Sequence, residues 1–300
     1  PSCSALPLEI VAWVDEESTF TSCLGSRAFT GALRDGEMAA ARNPDGLSLT
    51  DALQQAGLSG QPARPQPDQY LGYLEAHIEQ GPHLESAGKR IGIVSAIVGS
   101  RNFTVRFKGR QNHAGTTPMP LRRDAGIAMM RFGHFVDEAF KAAAGPKSVW
   151  TMGRIELSPG AASIIPGAAN LHLQFRDPDD AQLDRLQACV EQLIAEANAA
   201  GPVSVELEEF SPPIRPAEMD AQFQRHLSEA ARLHAPDAWQ SMPSAAVHDA
   251  MFLARIMPAG MMFIPSIDGV SHDFSENTGD DDIALGSQVF TQAIATILKQ

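Results

Sequence analysis

Two adjacent carboxylates and two widely separated histidines frame the chemical question this sequence poses. Glu16 and Glu17 follow the run LEIVAWV (8–14), His77 lies inside YLEAHIEQGPHLE (73–85), and His272 follows GMMFIPSI (260–267) in the stretch DGVSHDFSENTG. Each run reads as a buried strand, and each delivers metal-capable side chains at or near its end. Sites in open α/β sheets gather beyond the carboxyl ends of strands. A mixed imidazole and carboxylate set suits zinc or another first-row divalent ion, and a carboxylate beside a ligand can serve as general base. Neighbouring residues of a strand point to opposite faces, so one of Glu16 and Glu17 can bind metal while the other handles protons.

The elements that must position these groups are legible from periodicity. In YLEAHIE, Leu74, Ala76 and Ile78 face one way and Glu75, His77 and Glu79 the other, the period of a strand. The Gly-Pro that follows stops the strand so that the polar face can border a cavity. GKRIGIVSAIVG (88–99) reads as a hairpin return, and a helix is expected near 27–42. From about residue 100 the order is strand (101–110), helix (121–144), strand (149–157), strand (171–178), helix (180–201) with Asp180 as cap, and strand (203–210). That order is the split βαβ sandwich. SPPIRP (211–216) marks a boundary, followed by helical stretches from Ala217 and through HDAMFLARI, the strand at 260–267, and a terminal helix at 283–299.

Bulk properties narrow the function. The chain has 300 residues, 44% hydrophobic and 20% charged, which suits a soluble globular protein of two domains. A formal charge of −13 disfavours nucleic acid as a partner, and no apolar run reaches the length of a membrane span. Cys3, Cys23 and Cys189 are odd in number and widely scattered, which reads as reduced thiols of a cytoplasmic protein.

Five blocks in order, AWVDEESTF…LGSRAFTG, YLEAHIEQGPHLE, QNHAGTTPMPLRRDA, VHDAMFLA and MMFIPSIDGVSHDFSENT, resemble the amidase, hydantoinase/carbamoylase family. This group of N-carbamoyl-L-amino-acid hydrolases, allantoate amidohydrolases and β-ureidopropionases lies within the dinuclear-zinc aminoacylase and peptidase superfamily. The resemblance implies an α/β fold: a zinc-exopeptidase-like catalytic domain over 1–99 and 212–300, with an inserted ferredoxin-like α+β dimerisation domain over 100–211. It implies hydrolysis of a linear C–N amide bond in a small carbamoyl or ureido amino acid or an allantoate-like ureide. It also implies a homodimer and two divalent ions per subunit, zinc or alternatively manganese, nickel or cobalt. By the same resemblance Glu16 matches the general base, Glu17 and His272 ligands of one metal, and His77 a ligand of the other. His113 matches the small-domain histidine that steadies the oxyanion in the partner's site. Arg176 matches the arginine that holds the substrate carboxylate, Gln80 lines the substrate cleft, and His248 and Asp249 support the metal site from behind.

Departures from the family pattern qualify the expectation. The family's first metal histidine and bridging aspartate lie ahead of the block that starts here at Pro7, so the catalytic domain reads as incomplete at its N-terminus. Ser18 stands where the family usually has glycine, and Ser163 where it has a substrate-binding asparagine. The alternative is a noncatalytic remnant or subunit that keeps the fold and dimer surface without a complete dinuclear site. An ordinary aminoacylase or dipeptidase is disfavoured by the histidine of HIEQGP. Taken singly, each site residue also has a plainer reading, as a structural histidine, a surface acidic pair, a turn residue or a surface ion pair.

Overall fold

The computed structural model describes residues 8–58 and 66–299; Cys3 and residues 59–65 lie outside them. In chain order the helices are α1 (Leu24–Thr30), α2 (Glu37–Ala40), α3 (Leu49–Gln55), α4 (His83–Ser86), α5 (Ala125–Ala143), α6 (Asp180–Ala200), α7 (Ala221–His234), α8 (Ala250–Leu253) and α9 (Asp280–Ile297). The strands are β1 (Tyr73–Ile78), β2 (Ile91–Ile97), β3 (Gly99–Lys108), β4 (Asn112–His113), β5 (Val149–Ser158), β6 (Ile164–Ile165), β7 (Ala168–Asp177), β8 (Ser204–Ile214), β9 (Ala217–Glu218), β10 (Trp239–Ser244) and β11 (Ala259–Ile264). The chain divides into two units, Pro1–Ile97 with Ala217–Gln300, and Val98–Pro216.

The first unit is built on a mixed sheet in the order β1-β11-β2-β10, with β9 also paired to β2. β11 is its buried centre, parallel to β1 and antiparallel to β2. Its residues Ala259 to Phe263 are buried on both faces, which explains why AGMMFI reads as a continuous apolar run rather than an alternating one. Leu227, Ala230 and Ala231 of α7 and Leu285, Val289 and Ala293 of α9 pack with Ile91, Ile93 and Met262 of the sheet.

Three expectations fail in this unit. The 88–99 stretch is not a hairpin return, because β11 lies between β1 and β2; α4 sits in the connection. The helix expected near 27–42 is two short pieces, since Gly31 and Gly36 both adopt left-handed backbone and break it. LEIVAWV is not a buried strand. Leu8, Ile10, Val11 and Val14 are exposed, and the run has no ladder partner among the described residues. Instead the carbonyls of Val14, Asp15 and Glu16 accept the amides of Gly25, Leu24 and Cys23 at the start of α1. β-branching favours a strand only where a neighbouring strand completes its hydrogen bonds.

The second unit is an antiparallel sheet in the order β5-β7-β3-β8 with the ferredoxin-like connection. Alternation along β3 and β7 sends Phe103, Val105, Phe107, Leu171, Leu173 and Phe175 to one core with residues of α5 and α6. The intervening residues Asn102, Thr104, Arg106, Asn170, His172, Gln174 and Arg176 therefore occupy the other face. Asp124 caps α5, accepting from the amides of Gly126 and Ile127. Asp179, not Asp180, caps α6 by accepting from Ala181. Phe175 is fully buried, with ring centroids 6.0 Å from Phe103 and 5.3 Å from Phe140. Phe175→Ala is expected to cost about 3–5 kcal/mol of unfolding free energy. Urea denaturation measures this, and a loss below about 1 kcal/mol would contradict the packing described.

Candidate active site

The loop that carries Glu16 and Glu17 is organised by Asp15, whose carboxylate accepts the amides of Thr19, Phe20 and Thr21 at 2.5, 2.8 and 3.0 Å. It closes against α1 because Gly25 has no side chain: a Cβ there would lie 2.7 Å from the Val14 nitrogen. Ser18 adopts φ 65, the left-handed conformation that favours glycine. That is the physical content of the glycine expected at this position.

His77 and His272 are delivered by β1 and by the loop after β11. Glu79 does not border a cavity as its spacing suggests. β1 ends at Ile78, and the buried Glu79 carboxylate accepts the amides of His83 and Leu84 at 2.7 and 2.8 Å, fixing α4. Gln80, at φ 54, donates its amide to Ser266 Oγ at 3.0 Å, tying the two loops together. Gly269, at φ +65, completes the junction, since a Cβ there would meet the Pro82 nitrogen at 2.8 Å.

In this unit the structure brings Glu17 and His272 to 3.4 Å, Oε2 to Nε2. Their side chains are 63% and 71% exposed, so the pair adds little to stability. Burial, then the charges of Glu17 and Asp249, hold the Glu16 carboxyl above the usual carboxylate range, against the pull of His77 and His272. The His77 and His248 rings meet edge-on at 4.6 Å between centroids. Asp249 is buried and accepts the Ser26 hydroxyl; its carboxyl is pushed up by burial, with the Ser26 bond opposing. Cys23 lies 3.9 Å from Glu16, and burial pushes its thiol up to about 12, leaving it unreactive.

Hydrogen-bond partners settle which nitrogen of each imidazole carries the proton. His77 Nδ1 lies 2.7 Å from the Ile78 carbonyl, which only accepts, so Nδ1 is the N–H and Nε2 keeps a lone pair. His113, on β4 opposite Ile164, is the reverse. Its Nδ1 accepts the amides of Gly115 and Thr116 at 3.0 and 3.2 Å, leaving Nε2–H as donor. Arg122 clips that turn by donating to the carbonyls of Thr117 and Ala114. Ser163 adjoins it, its carbonyl accepting the Ala114 amide at 3.0 Å. Arg176, near the end of β7, donates Nε–H to Gln174 Oε1 at 3.0 Å. Asp177 points to the opposite face, where it is buried and accepts from Ser148 Oγ at 2.5 Å.

Residues 3–296 match the peptidase family M20/M25/M40. The chain belongs to that family. This M20/M25/M40 chain is 33% identical to an N-carbamoyl-L-amino-acid amidohydrolase of Paenarthrobacter aurescens over 97% of its own length and 71% of the relative's. It is 34% identical to a ureidoglycolate hydrolase of Arabidopsis thaliana, covering 97% of this chain and 63%, less than two thirds, of the plant protein. A solved amidase of the hydantoinase/carbamoylase family from Burkholderia phymatum is 46% identical with a TM-score of 0.88, over 96% of this chain and 70% of that one. The block resemblance and the α/β architecture with its ferredoxin-like unit thus agree with the family's solved structures.

The donors suit a zinc-class ion in kind but fall short in number. Glu17 and His272 form a pair and His77 offers one lone pair. Among the described residues no group of three His, Cys, Asp or Glu is placed to hold a metal. They do not fit a complete metal site.

Sequence reasoning assigned no role to Glu75, although its place two residues before His77 puts both on one face. Glu75 Oε2 accepts the Tyr73 hydroxyl and the Ala250 amide, each at 2.9 Å. Oε1 lies 3.9 Å from His248 Nδ1, a buried atom without a hydrogen bond. Ser244 gives its proton to the Ala246 carbonyl at 3.0 Å, so its oxygen accepts His248 Nε2–H at 2.9 Å and His248 Nδ1 keeps a lone pair facing Glu75. Burial holds the Glu75 carboxyl up at about 7, against the Tyr73 bond and with the Asp249 charge adding. At 3.9 Å Oε1 and Nδ1 do not hydrogen-bond, and burial is what keeps a proton on the Glu75 carboxyl. Because the folded state retains this proton above the ordinary value of 4.5, Glu75's contribution to stability is full below pH 4.5 and lost as pH rises through about 7. Glu75→Gln removes that loss. After dialysis against chelator, the variant's denaturation midpoint should gain on the unaltered protein as pH rises from 4.5 to 7; an offset constant across that range would sink the assignment.

Proposed function

We propose that this chain is a metal-dependent amidohydrolase that cleaves a linear C–N amide bond in an N-carbamoyl or ureido amino acid, or in an allantoate-like ureide. The observation that carries the reading is the approach of Glu17 to His272 at 3.4 Å beside the Glu16 carboxyl, whose proton affinity is raised. Family membership and the names of the relatives, an N-carbamoyl-L-amino-acid amidohydrolase and a ureidoglycolate hydrolase, support the same chemistry. Glu17, His272 and His77 are donors of the right kind but too few for a complete site, so the support for metal dependence is membership of the M20/M25/M40 family.

In the proposed reaction Glu16 takes the proton of the attacking water and returns it to the leaving nitrogen, a task that its raised proton affinity favours. His113 donates Nε2–H to the developing oxyanion, the tautomer its partners enforce. Arg176 holds the substrate carboxylate in the planar, two-pronged manner of a guanidinium. Gln80 and Ser163 line the substrate, and His248 and Asp249 support His77. The protein acts as a homodimer through the second unit, each His113 serving the partner's site. A cytoplasmic location accords with the free Cys23 and Cys189, and no described helix is long and apolar enough to cross a membrane.

The test is release of free amino acid from N-carbamoyl amino acids by the purified protein, with metal content measured on the same sample. Turnover should vanish with chelator and return with zinc, manganese, nickel or cobalt. Glu16→Gln should lower kcat by at least about a hundredfold. A protein that holds no metal and shows no turnover would be the noncatalytic subunit instead.

A further inference from the structure

On the polar face of the second unit's sheet, four side chains form a block across β3 and β7. Asn102 sits directly opposite Gln174, and Ser100 directly opposite Arg176. The hydrogen bonds among them run in one direction. Arg176 can only donate, and it gives Nε–H to Gln174 Oε1 at 3.0 Å. That fixes the Gln174 amide with its oxygen toward the arginine, so its Nε2 must face Asn102, where it donates to Oδ1 at 2.6 Å. Asn102 is oriented in turn, with Nδ2 reaching toward Ser100 Oγ at 3.4 Å. The relay ends on a serine that is 6% exposed, on the central strand β3. The guanidinium plane is thereby referred, through two amides, to a strand paired on both sides in the sheet.

We propose that Gln174 is a positioning residue that orients Arg176 to receive the substrate carboxylate. Its neutral amide fixes the guanidinium without adding a negative charge of its own beside the incoming anion. Nothing in the motif blocks pointed to it. The inference deepens the reading of Arg176 given above and rests on it.

Two variants separate orientation from charge. Gln174→Met removes the acceptor at nearly constant volume, whereas Gln174→Glu keeps an acceptor and adds a charge. Nitrogen-resolved NMR of the Arg176 Nε–H should show solvent exchange at least about tenfold faster in Gln174→Met and still slow in Gln174→Glu. For an N-carbamoyl amino acid, KM should rise about tenfold in both variants with kcat within about twofold, while KM for the matching carboxamide, which lacks the anion, stays put. Unchanged Nε–H exchange in Gln174→Met overturns the proposal, as does an equal rise in KM for carboxylate and carboxamide. Absence of turnover in the unaltered protein counts instead against the amidohydrolase reading, and the exchange comparison then decides the role of Gln174 by itself.

Discussion

The in-register parallel pairing of β1 with β11 is the constraint on which the candidate site depends. Tyr73 lies opposite Ala259 and Ile78 opposite Ile264, so both strands leave the sheet at the same edge. Parallel neighbours cannot be joined by a tight turn, and the long crossover between them is why residues far apart in sequence share one edge. The ladder then continues into the loops through the bond from the Glu79 amide to the Ile264 carbonyl at 2.9 Å and that from Gln80 to Ser266. Slipping β1 by one residue would turn Glu75 and His77 to the opposite face and leave Leu74 and Ile78 in their place.

The histidines of the chain show how backbone geometry assigns chemistry to one side-chain type. A carbonyl beside Nδ1 makes His77 a lone-pair donor at Nε2, whereas two amides beside Nδ1 make His113 a proton donor at Nε2. No charged neighbour is needed for either outcome. The third case, His248, is governed by a serine whose own proton is already committed to a carbonyl. Its buried position costs it its charge: burial, then the neighbouring His77, lowers it to about 3. A neutral ring beside a carboxyl held up by the same burial is a consistent pair.

Much of this was legible in the sequence, for identifiable reasons. The second unit alternates cleanly along β3 and β7 because one sheet face is covered and the other polar, and its helices are long enough to show their period. The blocks around Glu16, His77 and His272 named residues that the first unit gathers at one edge. Short-range appearance misled where the answer lay in distant partners. LEIVAWV has strand-forming residues but no ladder among the described residues, and Glu79 has strand spacing but caps a helix. β10, in WQSMPS, carries Ser, Gln and Pro and gives no strand signal by itself; its parallel pairing with β2 supplies it. Glu75 and Gln174 escaped because their roles are set across space, by His248 in one case and by Asn102 and Arg176 in the other.

Backbone strain gives an independent reason to regard the first unit's loops as functional. Among the described residues, the non-glycine positions with positive φ are Asp15, Ser18, Cys23, Gln80, Asp237, Asp268 and His272. All but Asp237 fall in the segments that carry or border Glu16, Glu17, His77 and His272. A left-handed residue other than glycine costs on the order of 1–2 kcal/mol, and such conformations persist only where surrounding contacts over-determine them. Here those contacts are visible: the three amides on Asp15, the Cys23 amide on the Glu16 carbonyl, the Gln80 amide on Ser266, and the His272 amide donated to Glu276 at 3.2 Å. Elsewhere, as at Gly31 and Gly36, the chain places glycine at such turns. Strain held in place by hydrogen bonds in these loops adds a backbone argument to the side-chain geometry of the candidate site.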